Sequence, residues 1–177
     1  MSGIKRMTLP KNLPEYEYLN KRLFYEAETG KLFWRYCNFI SKQWNSNWAW
    51  KEAGCIVKSG YRILSINDKL CFAHRIIWKL YYKVDPEKIL DHVNNLRHDN
   101  RIFNLREATY SQNQQNRIVS NKYGKGVSFD SKRNKYQAYI RVNNTNIHLG
   151  RFAKLEDAQR IYRKTAIKNF GEFANFD

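Results

Sequence analysis

The sequence has no apolar run long enough to cross a bilayer, which excludes a membrane-spanning helix. Cysteine is scarce and its pattern unpaired: Cys37, Cys55 and Cys71 are odd in number, and none stands in a C-x-x-C or His-Cys spacing. Zinc is therefore not expected, and buried free thiols in a reducing compartment are the default. The N-terminal stretch MSGIKRMTLPKNLP is basic but lacks the apolar core of a secretory signal, so the chain is expected to be soluble and cytoplasmic. Acidic residues are few, 16 against 32 Lys and Arg, which leaves a net charge of +16. The excess is spread along the chain instead of forming a tail. A polyanionic partner follows, with nucleic acid ahead of a membrane surface because no Lys-rich amphipathic helix has a bulky apolar face. No protein partner is evident.

What the chain does have is packing material. Of its 177 residues, 42% are apolar and 15% aromatic, a composition that folds instead of staying disordered. Pro14 and EYEYLNKRLFYEAETG predict a short helix stopping at Gly30, and KLFWRY (31–36) predicts a strand. The stretch 38–54, with Trp44, Trp48 and Trp50, reads as a loop, and both DNA contact and core packing are open to it. YRILSI (61–66) and KLCFA (69–73) predict a hairpin across Asn67-Asp68. A helix over 74–82 follows and ends ahead of Pro86. Past a polar linker at 118–126, VSFD (127–130), KYQAYIR (135–141) and NIHLG (146–150) read as three strands. LEDAQRIYRKTAIKNF then reads as a helix capped by Gly171. This change of pattern puts a domain boundary near residue 120, and no internal repeat is visible.

Residues 90–117, LDHVNNLRHDNRIFNLREATYSQNQQNR, concentrate the chemistry. ILDHV reads as a strand, NNLRHDNR as a loop and FNLREAT as the returning strand. Thr109-x-x-Gln112 reads as a capping box that opens a helix at Tyr110. Asn113 then falls in the first helical turn, on a face shared with Asn116 and Arg117. A helix packed across such a hairpin brings Asn113 back beside Asp91. A carboxylate and an amide carbonyl make two oxygen ligands for a hard divalent cation, whose other positions go to water and phosphate. His92, neutral near pH 7, suits taking a proton from an attacking water, and Asn104 stands where it could hold that imidazole. Each has a plainer alternative: a chance surface pair for Asp91-His92, a turn cap for Asn104, a solvated helix face for Asn113. His74 reads either as a phosphate contact with Arg75 or as a partly buried histidine at a helix start. His98 and Asp99 read as loop-shaping.

DH (91–92), N-L-R (104–106) and Asn113 in S-Q-N-Q-Q-N resemble the HNH nuclease motif, in the variant of phage and intron-encoded homing endonucleases whose last His is Asn. YEAETGKLFWR (25–35), GYRILSI (60–66) and AHRIIW (73–78) extend the resemblance over residues 13–117. It implies a nuclease domain at 1–120 with a ββα-metal core near 88–117. Asp91 and Asn113 would be metal ligands, His92 the general base and Asn104 its orienting partner, with Arg75 and Arg117 on DNA. The implied cofactor is Mg²⁺, with Mn²⁺ able to substitute. Asn95 stands where such loops often carry Gly, and Asn tolerates the left-handed backbone.

G-V (126–127), K-Y-x-A-x-I-R (135–141), L-G-x-F (149–152), E-D-A (156–158) and A-N-F (174–176) resemble the APETALA2-type DNA-binding domain. The resemblance covers 122–177 and implies, for a domain at 121–177, a three-stranded antiparallel sheet backed by a helix, with the sheet in the major groove. By strand alternation, Tyr136, Ala138, Ile140, Ile147 and Leu149 pack on Ala158, Ile161, Tyr162 and Thr165. Lys135, Gln137, Tyr139, Arg141, Asn146 and His148 then face outward, while Lys125, Arg133 and Arg151 at strand ends reach phosphates or base edges.

The whole reads as an α+β protein: a metal-dependent, site-selective endonuclease of the HNH homing type acting on double-stranded DNA. In a phage-encoded form it would work in the bacterial host's cytoplasm. A non-catalytic DNA-binding regulator on a nuclease scaffold is the alternative, and a structured-RNA binder a third reading.

Overall fold

The computed structural model describes residues 12–176. The basic stretch ahead of them, where the sequence shows no signal core, lies outside the described residues. The chain divides into two compact units, one ending at Glu107 and the other beginning at Ala108. Both mix helices with small antiparallel sheets.

In the first unit α1 (Tyr16–Arg22) gives way directly to β1 (Leu23–Glu26), which pairs with β2 (Lys31–Trp34). The helix expected to reach Gly30 therefore stops at Arg22. Phe24 faces Phe33 and Tyr25 faces Leu32 across the strand pair, and such cross-strand contacts outweigh the helical period. Gly30 closes the turn at φ +73°. A Cβ there would lie 2.5 Å from the backbone nitrogen of Arg101, so the hairpin tip presses on the loop after β6.

The expected loop at 38–54 contains α2 (Lys42–Trp48). Ser41 caps it by accepting the Trp44 N–H at 3.2 Å, and buried Asn45 exchanges hydrogen bonds with the Cys37 backbone. Trp44 packs edge-on against Trp34 at 5.2 Å, and the guanidinium of buried Arg22 lies over both rings. Trp48 and Trp50 stay exposed. The tryptophans thus divide between core and surface.

β3 (Cys55–Ile56), β4 (Arg62–Ile66) and β5 (Lys69–Phe72) form an antiparallel sheet in that order. β3, only two residues long, has no counterpart in the sequence reading. Asn67 and Asp68 both take positive φ, as the two-residue hairpin turn requires. α3 (Ala73–Tyr82) follows at once and ends on left-handed Lys83. Leu19, Leu23, Leu32, Ile76 and Ile77 are fully buried between these elements, each burial contributing about 1.5–3 kcal/mol. Cys37 and Cys71 are buried free thiols as expected, but Cys55 on the two-residue β3 is exposed. β6 (Ile89–His92) and β7 (Leu105–Ala108) then make a separate two-stranded sheet, the frame of the site.

The second unit opens with α4 (Tyr110–Asn116), so this helix, placed with the nuclease segment from sequence, clusters with the C-terminal residues. Both halves of its capping box form: Gln112 N–H donates to Thr109 Oγ1, and Thr109 N–H to Gln112 Oε1. β8 (Val127–Asp130), β9 (Lys135–Val142) and β10 (Thr145–Phe152) make an antiparallel sheet with β9 central. α5 (Leu155–Phe170) lies against it and is capped by Gly171. Val127, Ala138 and Ile140 meet Ala158, Tyr162 and Ala166 in this unit's core. Two expectations change. Ile147, on edge strand β10, stays 43% exposed, and Ala166 takes the buried helix position instead of Thr165, whose hydroxyl bonds the Ile161 carbonyl. No described helix is long and apolar enough to cross a membrane.

Candidate active site

Ile89 and Leu90 carry β6 to Asp91 and His92, both only 4% exposed. Two ionisable side chains are rarely buried together without partners. Arg106, on β7, supplies one: its Nε donates to Asp91 Oδ2 at 3.0 Å, and its Nη2 lies 3.0 Å from the same oxygen. Asn100 supplies the other, with Oδ1 3.1 Å from His92 Nε2. An amide oxygen only accepts, so the proton sits on Nε2 and the lone pair on Nδ1. Burial pushes the His92 imidazole below its ordinary range, against the opposing pull of the Asn100 hydrogen bond and the Asp91 charge. His92 is thus a neutral imidazole in neutral solution.

The asparagines expected for these jobs trade places. Asn104 does not supply the Nε2 contact; its amide closes the loop, accepting the Asn94 N–H at 3.0 Å and donating to Asn94 Oδ1 and the Asp99 carbonyl. Its backbone carbonyl also takes the Val93 N–H. Asn100, inside the NNLRHDNR stretch read from sequence as a loop, is 1% exposed and faces the imidazole. The loop is braced further by Asp99, gripped by Arg101 at 2.8 and 2.6 Å and by Asn94 at 2.7 Å, which holds its carboxyl down at about 2. Left-handed Asn95 turns the chain, with its N–H on the His92 carbonyl. Tyr25 reaches in from β1: its hydroxyl donates to the Asn100 carbonyl and accepts the Ile102 N–H. Asn100 and Arg106 were the residues whose roles sequence reasoning missed. Arg106 had a signal, a cation on the strand returning past a carboxylate; Asn100 had none beyond its type.

Asn113 stands in the first turn of α4, in the second unit, its N–H on the Thr109 carbonyl. Asp91, His92 and Asn104 stand in the first unit. Among the described residues no three His, Cys, Asp or Glu side chains gather into a metal cage. The donors present at the proposed site are a carboxylate and amide oxygens, which suit a hard cation better than a soft one.

The outward face of the C-terminal sheet holds the residues the alternation put there. Lys135, Tyr139 and Arg141 are exposed on β9, with Gln137 partly so; His148 pairs with Tyr139 and Arg151 with Gln137 across the strands. The Tyr139 and His148 rings lie 4.8 Å apart. A β-bulge between His148 and Gly150 keeps Arg151 on this face. Arg133 and Arg151 both bridge to Asp130, at 3.1 and 3.6 Å. Lys125 is turned inward: its ammonium donates to the Gln115 carbonyl and, at 2.8 Å, to that of Arg117, and burial lowers its pKa to about 8. It caps the end of α4 instead of facing outward. Arg75 is half-buried on α3, and the Arg117 side chain is exposed.

Residues 71–115 match the family model described as HNH endonuclease. An uncharacterized HNH endonuclease of Acanthamoeba polyphaga mimivirus is 34% identical over 119 residues, which is 66% of this chain and 62% of that protein. The chain thus spans less than two thirds of that relative's length. No solved structure matches. The matched stretch carries α3, β6, the asparagine loop, β7 and most of α4, and it is there that this chain is similar to HNH endonucleases.

Proposed function

We propose that this chain is a metal-dependent, site-selective endonuclease of the homing type that hydrolyses phosphodiester bonds in double-stranded DNA. The observation that carries the reading is the buried Asp91–His92 pair at the end of β6, with Arg106 and Asn100 as partners, inside the matched segment. His92 accepts the proton of the attacking water at Nδ1, because Nε2–H is engaged with Asn100. The imidazolium so formed is stabilised by Asn100 Oδ1 and by the neighbouring Asp91 charge. Asp91 and Asn113 would hold Mg²⁺, with Mn²⁺ able to substitute; bound there, the cation supplies Lewis-acid stabilisation of charge at the phosphate. Arg106 holds the Asp91 carboxylate in one orientation, and Asn104 acts through the loop it closes. Arg75 and Arg117 meet phosphates.

The second unit positions the enzyme, as an APETALA2-like sheet would. Lys135, Gln137, Tyr139, Arg141, His148 and Arg151 face the DNA, with Arg133 at the strand end. Its separate fold supports this, since a small hydrolytic site reads little sequence by itself. In a phage-borne form the protein acts in the host cytoplasm.

One observation favours the regulator reading. Arg106 already neutralises Asp91, so the site is charge-balanced without a divalent cation. Such a protein would bind DNA and leave it intact. Incubation with plasmid DNA and Mg²⁺ separates the two: strand cleavage that stops on chelation supports the nuclease, and tight binding without cleavage supports the regulator.

A further inference from the structure

The outward face of the β1–β2 hairpin carries rings that the core does not use. Strand alternation turns Leu23, Tyr25, Leu32 and Trp34 inward and leaves Phe24, Glu26, Phe33 and Arg35 on the other side. Phe24 and Phe33 stand directly opposite each other across the strand pair, and Phe24 is 42% exposed. The Arg35 guanidinium lies over the Phe24 ring at 5.4 Å, while its Nε–H donates to the Leu23 carbonyl at 2.9 Å. Trp50 joins from the segment alongside β2. Its N–H donates to the Trp34 carbonyl at 2.7 Å, and the Trp34 N–H donates to the Lys51 carbonyl at 3.0 Å. Phe24, Glu26, Phe33, Arg35 and Trp50 together line an open groove of about 420 Å³.

Trp50 is out of place as a structural residue. Ala49 at φ −54° and ψ 136°, Trp50 at φ +65° and the Lys51 N–H on the Trp48 carbonyl at 3.0 Å make a type II turn. The third position of such a turn takes a left-handed backbone, which suits glycine or asparagine and strains a bulky side chain. Burial does not offset that strain, because Trp50 is 65% exposed. Strain held at a surface position, beside a groove and with no packing to offset it, points to a ligand.

The chemistry of the groove selects that ligand. Aromatic side chains on one face stack flat rings, and every nucleobase presents one. Glu26, opposite Lys31 in the register, accepts the Thr29 hydroxyl. A carboxylate there repels a phosphate or an acidic peptide but accepts from the amino edge of a base. A second copy of the chain would bring another charge of +16, which opposes self-association, whereas the same charge attracts a polyanion.

We propose that this face stacks the bases of an unpaired stretch of DNA: Phe24, Phe33 and Trp50 take base faces, Glu26 takes a base amino group, and Arg35 holds the Phe24 ring. That the strand is DNA rests on the endonuclease reading. Binding is measured without a divalent cation, so a parent that cuts nothing sinks that reading and leaves this test standing.

The test is fluorescence anisotropy of a labelled single-stranded oligo-dC of about ten nucleotides, titrated with the full chain in EDTA. The parent should bind it. Trp50→Gly removes the ring and relaxes the turn, so it should melt no lower than the parent. It should nevertheless bind the oligonucleotide about tenfold to a hundredfold more weakly, with affinity for a duplex of the same length kept within about twofold. Phe24→Ala should weaken single-strand binding in the same way. Undiminished single-strand affinity in both variants overturns the proposal, as does a parent that does not bind the oligonucleotide. A Trp50→Gly chain that melts well below the parent also overturns it, since the indole would then serve packing. Equal losses on single strand and duplex would make the face a general DNA contact, and a parent dimer that Trp50→Gly turns into a monomer would make it a self-association surface; either result contradicts the proposal.

Discussion

At the residue scale the site depends on pairs. Asp91 and Arg106 are both largely buried, and removing one partner of such a pair leaves the other charge stranded. Arg106→Ala should therefore lower stability by about 3 kcal/mol, read by chemical denaturation. A loss under about 1 kcal/mol would show the pair to be solvated like a surface bridge. His74 gives a pH prediction. Neutral in the fold down to about pH 3, it takes up a proton in the unfolded chain near 6.5. The unfolded state thus binds more protons between those values, so stability is full above about pH 6.5 and falls as pH drops toward 3. His74→Phe should flatten part of that slope in melting temperatures recorded against pH. The sequence showed the Asp-His pair and its asparagines but not their bonding. Asn100 and Asn104 are the same residue type in one loop, and only the fold decides which amide curls back onto the imidazole.

At the scale of elements, what local chemistry dictates was legible, and what distant packing dictates was not. The Asn67-Asp68 hairpin, the Thr109–Gln112 capping box and the three C-terminal strands follow from neighbours a few residues apart. The early end of α1, the presence of α2 and the pairing of β3 do not. They depend on Trp44 reaching Trp34 and Arg22, and on hairpin contacts the helical period cannot anticipate. Thr109→Ala should remove a cap worth about 1 kcal/mol and fray α4, visible as faster amide exchange at 110–113. Unchanged exchange would mean that tertiary packing, not the cap, holds this helix. Gly30→Ala is a sharper probe of the site's support. Its φ of +73° and the 2.5 Å approach to Arg101 mean that an added methyl must displace the loop carrying Asn100. The His92 resonances should shift although residue 30 lies far away in sequence. Their invariance would show that the hairpin tip does not brace the site.

At the scale of the whole molecule, a charge of +16 over two units predicts strong, salt-sensitive binding to DNA. Replacing Lys135 and Arg141 together by Ala should weaken binding and flatten its salt dependence by about two phosphate contacts, while Mg²⁺ dependence of cleavage persists. Equal affinity in the double variant would move the DNA-binding face elsewhere. The similarity of residues 71–115 to HNH endonucleases frames the deciding question, whether Asp91-His92 is a working pair. Plasmid cleavage in Mg²⁺ by the parent and by His92→Ala, with DNA binding measured in parallel by anisotropy, answers it. The parent should cut, and chelation should stop it; His92→Ala should bind as tightly and cut at least about a hundredfold more slowly. Cleavage by His92→Ala at the parent's rate, or a parent that binds DNA and never cuts it, would show that His92 is not the base of a nuclease.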